Sequence, residues 1–141
     1  MMIIYSGIFF EKEKIDNIVK SKLAKDIKFP HITFKFKPLK EDEELLNSLV
    51  GEEVNVYLYN FKQDENNAGF YVAKIESNNK YINDLFEDIE CPHITTSVSE
   101  FGKPVDTYKL FSKKCPIEEE LFVVIKGTFG NFVKPGYPVF K

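Results

Sequence analysis

Arginine is absent from this chain: all 19 basic residues are lysine. Bidentate guanidinium clamps on phosphate or carboxylate are therefore excluded, and an anion must be held by lysine, hydroxyls, backbone N–H groups or histidine. Tryptophan is absent too, although 14 Phe and 7 Tyr supply ample aromatic surface. The two cysteines, Cys91 and Cys115, are too few for a disulfide framework or a four-cysteine zinc site. They read as reduced, packed residues. No apolar run reaches the ~18 residues of a spanning helix, and nothing at the N-terminus reads as a signal peptide. The expectation is a soluble, cytoplasmic chain with no membrane partner. With 22 acidic residues the net charge is −3, so a basic face for coating duplex DNA is not expected. A small anionic ligand or a nucleic acid end remains open.

What is present is a globular composition, 43% hydrophobic over 141 residues, enough for one domain spanning residues 1–141 and expected to be a monomer. Alternation predicts strands over Ile3–Phe10, Phe29–Lys37, Glu53–Phe61, Gly69–Glu76, Pro92–Ser99 and Glu120–Phe129. Helical spacing predicts helices over Glu11–Lys25, Glu41–Val50 and Asn78–Glu90, the last capped by Ser77 or Asn78. Gln63–Asn67 reads as a hairpin turn, Lys103–Lys113 gives no clear period, and Lys134–Pro138 reads as loop. The order strand, helix, strand occurs over 3–34 and again over 69–95. It ends both times in the same tetrapeptide, Pro30-His31-Ile32-Thr33 and Pro92-His93-Ile94-Thr95. Two related lobes sharing one core are expected, in an α+β domain.

The chain has two histidines, and each precedes a threonine by two positions. With so few threonines, chance would do this in about one such chain in eight hundred. On a strand, residues i and i+2 share a face, so each imidazole stands beside a hydroxyl. Two facing lobes would bring both pairs into one cleft. One neutral imidazole could then take a proton from an attacking oxygen while the other, protonated, gives one to a leaving oxygen. An ordinary histidine pKa of ~6.5 lets both forms coexist near neutrality. The Thr33 and Thr95 hydroxyls would donate to non-bridging phosphate oxygens, so the scheme needs neither metal nor cofactor.

The motifs His31-Ile32-Thr33-Phe34 and His93-Ile94-Thr95-Thr96 resemble the signature of the two-histidine (2H) phosphoesterases. The surroundings of the second motif look most like the branch related to cyclic phosphodiesterase domains of fungal tRNA ligases. The resemblance covers nearly the whole chain, and Thr96 is its one departure, where the family carries an apolar residue. It implies a bilobal α+β fold, with two pseudo-symmetric antiparallel sheets flanked by helices around a central cleft. It also implies hydrolysis of a nucleotide-derived cyclic phosphate or 2′-linked phosphodiester. The substrates in view are an RNA 2′,3′-cyclic phosphate end, an ADP-ribose cyclic phosphate, a 2′,5′-oligoadenylate and a cyclic oligonucleotide signal. By the same resemblance His31 and His93 are acid and base, in an order left open, and Thr33 and Thr95 bind phosphate.

Other residues are weaker candidates. By alternation Lys35 and Ser97 share the faces of their motifs and are candidates for substrate contact. Tyr5 and Phe9 could stack a base, and Tyr137 could close over the cleft from a Pro/Gly-rich tail. A cysteine–histidine nucleophile from Cys91 and His93 is disfavoured by Pro92 and by the ~6–7 Å between same-face neighbours. The competing class is a catalytically silent module that binds a nucleotide or RNA end. A metal-dependent hydrolase is a third option, weakened because two histidines give two ligands.

Overall fold

A computed structural model describes residues 2–19, 21–111 and 123–140 of the chain. The Lys113-Lys114 pair, Cys115 and the first residues of the strand expected from Glu120 lie outside these. Eight strands are seen among the described residues: β1 (Ile3–Phe9), β2 (Lys25–Asp26), β3 (His31–Phe36), β4 (Glu53–Gln63), β5 (Asn67–Glu76), β6 (His93–Val98), β7 (Val123–Val133) and β8 (Tyr137–Val139). They form one antiparallel sheet in the order β2-β6-β5-β4-β7-β1-β3, with β8 paired to β7. Three short α-helices accompany it, α1 (Lys12–Asp16), α2 (Glu43–Ser48) and α3 (Lys80–Glu87), and Pro104–Leu110 forms a 3-10 helix. The fold is α+β, and no helix among the described residues is long and apolar enough to cross a membrane.

The internal repeat extends to individual backbone pairs. His31 and His93 are 62 positions apart, and adding 62 to every residue of the β1–β3 ladder reproduces the β5–β6 ladder. Phe9 faces His31 as Tyr71 faces His93; Ile8 faces Ile32 as Phe70 faces Ile94; Gly7 faces Thr33 as Gly69 faces Thr95. Each ladder then skips one residue, Phe34 in β3 and Thr96 in β6, so the same β-bulge follows each motif. The third strand of each repeat crosses over. β4 pairs with β5 and β7 pairs with β1, and the β4–β7 ladder joins the two halves.

The alternation that makes strands of these segments also fills the core. Ile8, Ile32, Phe70 and Ile94 are fully buried between the ladders, joined by Val54, Val56, Leu58 and Phe129. Each such side chain contributes ~1.5–3 kcal/mol relative to exposure. Ile82 of α3 is buried against the same cluster, and α3 packs on β3 and β5. Its cap is Asn79, whose Oδ1 accepts from the Tyr81 and Ile82 amides at 2.9 and 3.3 Å. Ser77 instead accepts from the Asn79 amide. The cap therefore lies one residue after Asn78 and two after Ser77, the caps read from the sequence.

Two expectations fail because tertiary pairing outcompetes local pattern. The helix expected over Glu11–Lys25 stops at Asp16. Ile18 and Val19 both bond back to the Ile15 carbonyl, and the chain then leaves the helix to reach β6. There the Leu23 amide donates to Ser97 Oγ at 2.9 Å, and Lys25–Asp26 pair with Ser97 and Val98. The tail expected as loop over Lys134–Pro138 is a turn only over 134–136, and from Tyr137, opposite Val133, it forms β8.

Candidate active site

Each histidine opens its strand directly after a proline. Proline has no N–H to give, but its carbonyl enters the ladder: Pro30 accepts from the Phe10 amide at 3.1 Å and Pro92 from the Val72 amide at 3.0 Å. The carbonyl one residue earlier is turned to the imidazole. His31 Nδ1 donates to the Phe29 carbonyl and His93 Nδ1 to the Cys91 carbonyl, both at 2.8 Å. A carbonyl can only accept, so each neutral imidazole carries its proton on Nδ1 and its lone pair on Nε2.

The environments of the two rings differ. His31 is stacked on Tyr5, with centroids 4.6 Å apart, and tilted against Phe9 at 5.5 Å. Tyr5 stacks in turn on Phe132 at 4.9 Å, so this ring lines the imidazole and is itself covered. The Tyr5 hydroxyl lies 3.4 Å from His31 Nδ1, but the proton of that nitrogen is directed to Phe29, and the contact is one of stacking. His93 instead lines a cavity of about 380 Å³ with Ile89, Cys91, Tyr108 and Phe111. Burial lowers the pKa of both histidines below 6.5, opposed in each by the backbone carbonyl that accepts from Nδ1. The charge of His93 lowers His31 further. β3 and β6, which carry them, pack against one another.

The hydroxyls differ too. Thr33 is exposed, without a hydrogen-bond partner among the described residues. Thr95 Oγ1 lies 2.8 Å from Thr107 Oγ1 and 3.3 Å from the Pro104 carbonyl. Thr96, the departure from the family signature, is buried at the bulge and donates to the Ala68 carbonyl at 3.2 Å. A hydroxyl there satisfies a carbonyl beside the irregular pair.

Of the weaker candidates, Tyr5 and Phe9 lie at His31. Ser97 is fully buried, its hydroxyl taken by the Leu23 amide, and Lys35 lies 3.6 Å from the Asp42 carboxylate. Both follow a bulge, and an inserted residue breaks the simple alternation that put them beside the threonines. Tyr137 sits on the paired strand β8, 41% exposed, rather than on a loop. Sequence reasoning missed Thr107 and Asn67; their segments carried no motif to mark them. No group of three His, Cys, Asp or Glu side chains that could hold a metal ion occurs among the described residues. No family model matches the chain, and neither a curated protein nor a solved structure matches it.

Proposed function

We propose that this chain is a 2H-type phosphodiesterase that hydrolyses a nucleotide-derived cyclic phosphate or 2′-linked phosphodiester without a metal. The observation that carries the reading is the matched anchoring of the two imidazoles, each with Nδ1 on a carbonyl two residues back and Nε2 left for proton transfer. The coincidence of the two ladders at an offset of 62 supports the finer description, two pseudo-symmetric lobes around a shared cleft. In this reading His31, the imidazole enclosed by Tyr5 and Phe9, stays neutral and is the base. His93, on the open cavity, is the acid. His31 Nε2 takes a proton from water as its oxygen bonds to phosphorus. The P–O bond to the ribose breaks, and His93 Nε2 protonates the departing oxygen. Thr33 and Thr95 donate to the non-bridging oxygens, the work arginine would otherwise share.

The test is incubation of the purified protein with RNA 2′,3′-cyclic phosphate ends, an ADP-ribose cyclic phosphate, 2′,5′-oligoadenylate and a cyclic oligonucleotide, followed by chromatography. Turnover of at least one is expected, with His31→Ala and His93→Ala each slower by at least ~10²-fold. Ligand that binds and emerges intact would make the chain a silent binding module. Full activity in either histidine variant would remove the mechanism.

A further inference from the structure

We propose that Thr107 and Asn67 are positioning residues that order the Thr95 hydroxyl, turning its proton outward to a phosphate oxygen. The ligand in this statement rests on the phosphodiesterase reading; the ordering of the protons rests on hydrogen-bond chemistry alone.

Asn67 is 4% exposed and Thr107 fully buried. Asn67 Nδ2 has two protons and two acceptors, the Lys103 carbonyl at 2.7 Å and Thr107 Oγ1 at 3.0 Å. A carbonyl cannot donate, so the amide is fixed with its nitrogen on this side, and Thr107 Oγ1 receives an N–H. The Thr107 proton then has Thr95 Oγ1, 2.8 Å away, as its acceptor. The opposite order, Thr95 donating to Thr107, would leave a buried O–H without an acceptor, at a cost of ~1–3 kcal/mol. It would also give up the contact of Thr95 with the Pro104 carbonyl at 3.3 Å. The chain of donors therefore runs Asn67, Thr107, Thr95, and the Thr95 proton rests on Pro104 until a better acceptor arrives. A hydroxyl that accepts a hydrogen bond is also a stronger donor.

The packing is built around this contact. Gly69 stands opposite Thr95 in the ladder, and a Cβ on it would meet the Ile94 carbonyl and come within 2.9 Å of Thr107 Cγ2. The first repeat has no counterpart. Subtracting 62 from Asn67 and Thr107 gives Tyr5 and Leu45, and Thr33 stands without a partner among the described residues. The repeat thus holds one free phosphate donor and one ordered one.

The test uses the full chain and a nucleoside 2′,3′-cyclic phosphate, comparing Thr107→Val, Thr107→Ser, Thr95→Val and the Thr95→Val/Thr107→Val double variant. Thr107→Val is expected to lower kcat about tenfold with KM within about twofold, and Thr107→Ser to restore it. The double variant should turn over no more slowly than Thr95→Val, because Thr107 acts through Thr95. An equal further loss in the Thr95→Val background would overturn the proposal. If the unaltered chain turns over neither this substrate nor any of the four named above, the phosphodiesterase reading loses its support, and the proton order is read directly. In a proton NMR spectrum, slowed solvent exchange of the Thr107 hydroxyl, with a contact to Thr95, supports the relay. Equal, fast exchange of both hydroxyls overturns it.

Discussion

At the scale of single residues, His31 and His93 are chemically alike and physically distinct. Both imidazoles have the same tautomer, fixed by the same carbonyl contact. They differ in what covers them, aromatic rings for His31 and an open cavity for His93. In the proposed mechanism that difference distinguishes the base from the acid, and leaving-group chemistry tests the two roles separately. A nucleoside p-nitrophenyl phosphodiester releases a phenolate that needs no proton. On it, His93→Ala is expected to retain activity within about tenfold of the parent, while His31→Ala still loses at least ~10²-fold. Equal losses in both variants, on this substrate and on the cyclic phosphate, would remove the assignment.

At the scale of elements, the bulge after each motif decides which side chains reach the site. Alternation across the bulge, as read from the sequence, carried Lys35 and Ser97 onto the faces of Thr33 and Thr95. The inserted residues Phe34 and Thr96 break that alternation. Gly7 and Gly69 are where the bulged strands come closest. A Cβ on Gly7 would meet the Ile32 carbonyl, and one on Gly69 the Ile94 carbonyl. Backbone cannot yield as a side chain can, so Gly7→Ala and Gly69→Ala should each cost ~1–3 kcal/mol, measured by urea unfolding. Strands and motifs were legible because they depend on alternation and a repeated tetrapeptide. Strand β8 was not, because the short turn over residues 134–136 folds it straight back onto β7. The end of α1 and strand β2 were not, because each is set by a distant partner, Ser97 and Val98. The pairing of Thr95 with Thr107 was hidden for the same reason.

At the scale of the whole molecule, the repeats exchange their third strands. β4 belongs in sequence to the first repeat and hydrogen-bonds to β5 of the second, while β7 returns to β1. Neither repeat keeps its sheet without the other, and Ile8 and Phe70 are buried in one cluster. Unfolding should therefore be one cooperative transition, with the amides of Ile8 and Phe70 exchanging at the same free energy in native-state hydrogen exchange. Two separate transitions would mean that the halves are independent.

The exchange of strands also keeps β3 and β6, and so the two imidazoles, in a fixed relation, and the pH dependence of kcat/KM on a nucleoside 2′,3′-cyclic phosphate tests that pair most directly. In the proposed mechanism the active free form has His31 neutral and His93 protonated. Loss of the first gives the acidic limb and loss of the second the alkaline limb. Burial lowers both pKa values, so the maximum is expected below pH ~6.5, and a bound phosphodiester anion should move the kcat maximum to higher pH. The limbs belong to the coupled pair rather than to either residue alone. Saturating EDTA should leave the bell unchanged. A kcat/KM that rises monotonically with pH and collapses in EDTA would contradict two-imidazole catalysis and point to a metal-bound hydroxide.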